Sequence, residues 1–388
     1  MAYFPSGAPI RLGLHRMERA LDYLGRLEQH RRTLLVAETN GKGSTCAMLA
    51  SALQAAGYRV GLHTSPHVHR FSERIQSDGK PVSDEELADL VKAVRRACPW
   101  QDDPADEDRL TYFELATLLG LIFFARHEVD VAIVETGLGG HLDATAVVRP
   151  CAVAMTKIGL DHREYFGDSL RAVARAEASI SKPRVPVSVA PGQPPDVMEG
   201  LRAQAARTAA PLSVCSSDYA GPLPLRGTHQ RQNAAVAKAA LELLAPRADG
   251  FGRRRRGGAR VHPLARPSRG DRRRASGRRP QHRRRSGAVG SSARPPPGSA
   301  GGARVRRVHL CPALTPRPLA PAECASSATE LRLLISTHST CADALRAARR
   351  AADTRDLVCA TGSFSVVAEV RRLLLDNQVL SDGDKRWT

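Results

Sequence analysis

The sequence predicts an α/β fold: a parallel sheet that carries a phosphate-binding turn, followed by a second, smaller α/β domain. Three stretches carry that expectation. Residues 34–57, LLVAETNGKGSTCAMLASALQAAG, pass from a short apolar strand (Leu34 to Ala37) through a glycine turn (Asn40 to Gly43) into a helix (Ser44 to Ala56) closed by Gly57. Residues 129–135, VDVAIVE, are nearly all apolar, as a central parallel strand covered on both faces must be. Residues 356–375, DLVCATGSFSVVAEVRRLLL, repeat strand, turn and helix near the C-terminus.

In chain order, an opening helix is expected over residues 10–27, where Leu14, Met17, Ala20, Leu21 and Leu24 recur at helical spacing. The glycine turn follows. Its backbone N–H groups and the helix dipole favour an anion, Lys42 is placed to reach terminal phosphates, and the Ser44 hydroxyl to hold Mg²⁺. The spacing is not GxxxxGK[ST]: Val36 stands six residues before Lys42, and Gly43 separates Lys42 from Ser44. A strand over Tyr58 to Leu62 then delivers Thr64-Ser65-Pro66-His67, where a plain turn capped by Ser65 is the competing reading.

Ser83-Asp84-Glu85-Glu86 is a capping box that opens a helix through Cys98, and Thr111-Tyr112-Phe113-Glu114 is a second one ahead of LATLLGLIFFA, so cap duty is one reading of Glu114. Glu135 closes its strand at the carboxyl edge, where open α/β sheets bind ligands, and is the leading metal-ligand candidate. A further strand is expected over Cys151 to Thr156, and helices over Ser169 to Ser181 and within residues 225–244.

A chain of 388 residues is long enough for two cores. Its eight cysteines lack CxxC or metal spacing, no apolar leader opens it, and no apolar run is long enough to span a bilayer. A cytoplasmic protein with reduced thiols is expected. The formal charge of +19 is concentrated: residues 251–290 hold fifteen arginines and one acid, Asp271, and so carry +14 of it.

The string T-N-G-K-G-S-T resembles the nucleotide loop of the folylpolyglutamate synthase and dihydrofolate synthase family, relatives of the Mur ligases, in which it reads G-T-N-G-K-G-[ST]. Here Glu38 stands at that first glycine, a carboxylate facing the phosphates and a side chain in a glycine's backbone position. Further strings follow in the family's order: T-S-P-H with R-F-S-E-R-I, T-Y-F-E, E-T-G-L-G-G-H-L-D-A-T-A, T-K-I-G-L-D-H and G-T-H-Q-R-Q-N-A-A-V-A. Within them His141 and Ala146 replace an arginine and an asparagine; in V-A-R-A-E-A-S-I (173–180), against the family's I-A-x-x-K-A-G-I, Glu177 replaces a lysine that is carbamylated in the family.

The resemblance implies a P-loop-containing parallel-sheet ATPase domain followed by a smaller, Rossmann-like α/β domain that is incomplete. It implies ATP and Mg²⁺ as cofactors, with Asn40, Gly41, Lys42, Gly43, Ser44, Thr45 and Asn233 at the nucleotide. Ser44, Ser65, Glu135 and His162 are implied metal ligands, and Lys42, His162 and Glu177 catalytic groups. Glu177 either brings a carboxylate on a shorter arm or is a solvated helix residue. Leu12, Gly13, Thr64, Ser65, Pro66, Phe113, Glu114, Leu142, Asp143 and Ala144 are implied contacts of the substrate, which is dihydropteroate or folate with L-glutamate as the second substrate. A monomer is expected, without membrane or nucleic acid as a partner.

Three segments result: 1–245, the ATP-binding domain; 246–304, rich in arginine and proline; and 305–388, the remnant of a C-terminal ligase domain carrying Thr361-Gly362-Ser363. The middle segment has no apolar period and is expected to be disordered. It fits out-of-frame translation of a GC-rich gene, since it lacks the family's arginine turn and its Asp-His-Asn-Pro stretch. Two rival readings stay open: a catalytically impaired family member, and an arginine-rich protein that binds RNA through phosphate contacts.

Overall fold

The structure is a computed structural model that describes residues 11–30, 32–103, 105–160, 163–225, 227–244, 307–311, 334–352, 358, 360 and 364–375. The segment 246–304, His162 and Thr361-Gly362-Ser363 lie outside them. Two compact units are present and are taken separately.

The first unit runs α1 (His15–Tyr23), β1 (Arg32–Ala37), α2 (Lys42–Ala55), β2 (Val60–His63), β3 (Ile75–Ser77), β4 (Lys80–Pro81), α3 (Asp84–Ala97), α4 (Tyr112–Arg126), β5 (Val131–Glu135) and β6 (Ala152–Met155). It continues with α5 (Arg163–Phe166), α6 (Leu170–Ala178), β7 (Val187–Val189), α7 (Pro195–Thr208), β8 (Leu212–Val214) and α8 (His229–Leu244). The strands form one sheet in the order β4-β3-β2-β5-β1-β6-β7-β8. From β2 to β8 neighbours run parallel, while β3 and β4 make an antiparallel edge. With β1 between β5 and β6, the loops after β1, β2, β5 and β6 all emerge at one carboxyl edge.

Alternation sets the two faces. Leu35, Ala37, Ala132, Val134, Val153 and Met155 join one core with Met17, Leu90, Leu118, Val173 and Leu201 from α1, α3, α4, α6 and α7. On the other face α2 and α8 pack together and against the central strands. Both expected capping boxes form: Ser83 Oγ accepts from Glu86 N–H at 3.1 Å, and Thr111 Oγ1 from Glu114 N–H at 3.3 Å.

The expected opening helix is shorter than residues 10–27. It covers His15–Tyr23, and a separate 3-10 turn covers Leu27–His30, because Gly13 at φ +129° and Gly25 at φ +78° lie outside helical space on either side. The helix of the glycine turn starts at Lys42 rather than Ser44, with Gly41 at φ +94° as its N-cap. The hairpin strands β3 and β4 and the helix α7 are additions to the sequence reading.

The second unit contains β9 (Arg307–Leu310), β10 (Leu334–Thr337), α9 (Cys341–Ala351) and α10 (Phe364–Leu375), with β9 and β10 parallel. A small core of Cys341, Leu345, Val370 and Leu373 holds them together. Among the described residues no helix is long and apolar enough to cross a membrane.

Candidate functional site

The turn between β1 and α2 is shaped by close backbone approaches. Asn40 N–H donates to the Lys157 carbonyl at 3.2 Å, tying the turn to the loop after β6. Gly41 has no room for a side chain, since a Cβ there would come 2.2 Å from Asn233 Oδ1. Asn233 Nδ2 donates to Gln230 Oε1 at 3.0 Å, and Gln230 Nε2 donates to Ser44 Oγ at 3.2 Å. Asn233 and Ser44, far apart in sequence, thus meet at the start of α2 through Gln230, which the sequence reading placed in the same motif without giving it a role. Thr45 is buried behind them. Lys42 folds back over the turn, its Nζ donating to the Glu38 carbonyl at 2.6 Å.

Glu38 itself is strained and isolated. Its φ is +100°, in the left-handed region that favours glycine, and its side chain is fully buried with no hydrogen-bond partner on either carboxylate oxygen. Burial, then the negative charge of Glu177, push its pKa well above the ordinary carboxylate value, and Lys42 only partly opposes this.

Glu135 closes β5 and is buried. Its Oε2 accepts from Ser65 N–H at 2.9 Å, and a Cβ on Gly43 would lie 3.8 Å from both of its oxygens, so the carboxylate rests against the glycine turn. Burial raises its pKa to about 7, against the lowering effects of the Ser65 N–H, Lys42 and Arg74. Arg74, from the R-F-S-E-R-I string, is a second residue not singled out beforehand. Its Nε donates to His67 Nδ1 at 2.8 Å. Glu177 is buried rather than solvated. A Cβ on Gly139 would come 1.8 Å from its Oε2, so only glycine fits opposite it. Lys42 therefore acts on both Glu38 and Glu135, while Glu177 acts on Glu38.

Among the implied substrate contacts, Asp143 is buried and organises the loop after β5. Its Oδ2 accepts from the N–H groups of Gly137, Leu138 and Gly139 at 3.0, 2.8 and 3.1 Å, and its Oδ1 from Thr145 N–H at 2.9 Å. Phe113 packs over Gly137, where a Cβ would meet the ring at 2.4 Å, and Ala144 is buried next to Asp143. Glu114 is committed to a buried ion pair with Arg16 at 2.8 Å as well as to the cap of α4. Thr64 N–H donates to the Arg74 carbonyl at 2.9 Å, leading the chain into the cis Ser65-Pro66 peptide. Leu12 and Leu142 present exposed apolar side chains, and Gly13 turns the chain into α1 at φ +129°.

The donors suit a hard cation. Glu135 is a carboxylate at the sheet's carboxyl edge, a bound cation would hold it ionised, and the N-terminal turn of α2 offers the Ser44 hydroxyl beside it. Among the described residues, no three histidine, cysteine, aspartate or glutamate side chains converge on one point, so the rest of any shell falls to hydroxyls, water and phosphate oxygens.

A parallel sheet with a glycine turn, a lysine and a helix N-terminus at its carboxyl edge is the architecture of P-loop-type α/β proteins. Comparison with known proteins narrows that class. No protein-family model matches the chain. The dihydrofolate synthase/folylpolyglutamate synthase of Bacillus subtilis is 38% identical over 260 residues, covering 61% of this chain and 60% of the relative. A solved complex of folylpolyglutamate synthase with AMPPCP and folate is 30% identical, with a TM-score of 0.58 over 62% of this chain and 66% of the other. The apo folylpolyglutamate synthase of L. casei, at 24% identity, shares the fold over 96% of this chain and 97% of its own, with a TM-score of 0.72. The sequence resemblance therefore holds: over about three fifths of its length this chain is homologous to the folylpolyglutamate and dihydrofolate synthases. It spans about three fifths of the length of the B. subtilis relative that it matches.

Proposed function

We propose that this chain is an ATP-dependent ligase that joins L-glutamate to dihydropteroate, to folate, or to both. The observation that carries the reading is the meeting of Lys42, Ser44, Ser65, Glu135 and Asn233 around one glycine turn at the carboxyl edge of the sheet. The relatives' names supply the substrates, and the AMPPCP complex of one of them supports ATP.

A carboxylate does not accept an amine directly, because its oxygen leaves poorly and its charge repels nucleophiles. Transfer of the γ-phosphoryl group of ATP gives an acyl phosphate, whose carbonyl the glutamate amine attacks with release of phosphate. The chain's part is positioning and charge neutralisation. The N–H groups of the turn cradle the phosphates, and Lys42 swings from the Glu38 carbonyl to the terminal ones. Gln230 orients Ser44, and Asn233 closes the turn from α8. Asp143 holds the loop of residues 137–139 rigid beneath the pterin, and Phe113 supplies an apolar wall. Mg²⁺, held by Ser44, Ser65, Glu135 and His162, would neutralise charge on the phosphates. Glu177 stands beside Gly139 as a carboxylate in reach of the same loop.

A second reading has its own support. The buried, unpartnered carboxyl group of Glu38 fills the family's glycine position beside the cradle and would repel phosphates wherever it ionises, which favours a family member that binds nucleotide weakly. One experiment separates the two readings: ADP release from Mg·ATP by the full chain, with L-glutamate and either dihydropteroate or folate. Release that needs both the pteroate or folate acid and glutamate supports the ligase. No release at millimolar ATP by the wild type, with release restored in Glu38→Gly, supports the impaired member. No release from either protein refutes the ligase reading.

A further inference from the structure

In the second unit, a cluster outside the nucleotide site brings two imidazoles and a hydroxyl together. Ser336 lies directly opposite His309 in the parallel register of β10 and β9. His338 N–H donates to the Leu310 carbonyl at 2.8 Å, so the ladder continues beyond β10, and side-chain alternation returns His338 to the face of Ser336. The three polar atoms form a nearly equilateral triangle. Ser336 Oγ is 2.8 Å from His309 Nδ1 and 3.0 Å from His338 Nε2, and the two ring nitrogens are 3.1 Å apart.

Hydrogen bonding alone satisfies such a triangle poorly. An imidazole nitrogen directs its lone pair or its N–H along one in-plane line, so it cannot point straight at two neighbours separated by about 60°, and bent hydrogen bonds weaken steeply. All three atoms can instead point at a common centre. Edges near 3 Å are those of neighbouring donors at right angles, about 2.1 Å from an octahedral first-row divalent cation.

We propose that His309, His338 and Ser336 form a binding site for a divalent transition cation of the zinc, cobalt and nickel class, with water completing the shell. Imidazole donors select these borderline ions over Mg²⁺. His309 ligates through Nδ1 and His338 through Nε2, so each ring carries its proton on the other nitrogen. The third donor is a neutral hydroxyl, so the affinity is modest, in the micromolar range expected of two imidazoles. The site is independent of the ligase reading, since none of its residues belongs to the nucleotide turn.

The test uses the full chain without an affinity tag, stripped with chelator and titrated with Co²⁺ in millimolar Mg²⁺, following bound metal by mass spectrometry and the visible spectrum. One equivalent of Co²⁺ is expected, retained against Mg²⁺ and lacking a thiolate charge-transfer band. Affinity should fall at least tenfold in His309→Ala and in His338→Ala, and less in Ser336→Ala. Unchanged affinity in both histidine variants, displacement by Mg²⁺, or a thiolate band from Cys311 or Cys341 overturns the proposal. Where a histidine variant fails to fold, Zn²⁺ added to ¹⁵N-histidine-labelled wild type decides the matter: shifts in two imidazoles support the site, and shifts in none refute it.

Discussion

Replacing Glu38 by glycine should make this protein more stable, the reverse of the usual outcome at a fully buried position. Two liabilities disappear with the side chain. A non-glycine residue at φ +100° carries strain of about 1–2 kcal/mol, and a buried carboxyl group with no hydrogen-bond partner costs about 1–3 kcal/mol. Glycine returns about 0.5–1 kcal/mol through its greater freedom in the unfolded chain. The balance is a gain of about 2 kcal/mol, or about 4–8 °C in melting temperature for a domain of this size. The gain depends on pH. Because the folded-state pKa of Glu38 is raised, the native chain holds a proton that the unfolded chain releases, so wild-type stability is fullest below the ordinary carboxylate pKa and falls as pH rises toward the raised value. Glu38→Gln should recover the pH-dependent part and keep the strain, and Glu38→Gly should recover both. Thermal melts of the three proteins at pH 5, 6, 7 and 8 measure this. A glycine variant that melts at or below the wild type at pH 8, with the same pH slope, refutes the reasoning.

Other perturbations give further outcomes. Glu135, with its pKa raised to about 7, removes stability in the same direction between about pH 4.5 and 7, so Glu135→Gln should flatten the melting profile across that window. Asp143→Ala strips the acceptor from three consecutive N–H groups of the loop after β5 and should cost at least about 3 kcal/mol by urea unfolding. Arg16→Met leaves Glu114 as an uncompensated buried charge and should cost about 3–5 kcal/mol, most of it regained in the Arg16→Met, Glu114→Leu double variant.

The parts of the site legible in the sequence are those written locally. An apolar run, a glycine turn and a helix signature place Lys42 at the carboxyl edge of β1, and VDVAIVE places Glu135 at the end of β5. Gly43 reads locally as the last residue of the turn, yet it already lies in the helix, where a Cβ would make only ordinary contact with the Glu135 carboxylate. Long-range pairings were not legible. Arg16 and Glu114 are 98 positions apart, and α1 viewed alone gives Arg16 no reason to be buried. For Glu177 the helix pattern leaves a shorter-armed site carboxylate and a solvated residue both open, and only the packing of Gly139 against it reveals its burial. The triangle of His309, Ser336 and His338 depends on strand register across residues 311–333, which no local pattern encodes.

The account stands on Lys42 and its turn as a phosphate cradle. The most direct test is equilibrium binding of ATP, with Mg²⁺ in excess, to Glu38→Gly and to the Glu38→Gly, Lys42→Ala double variant, both verified as folded. Saturable binding by the first and at least a hundredfold weaker binding by the second is the predicted result. Equal affinity in the two proteins, or binding by neither, contradicts it.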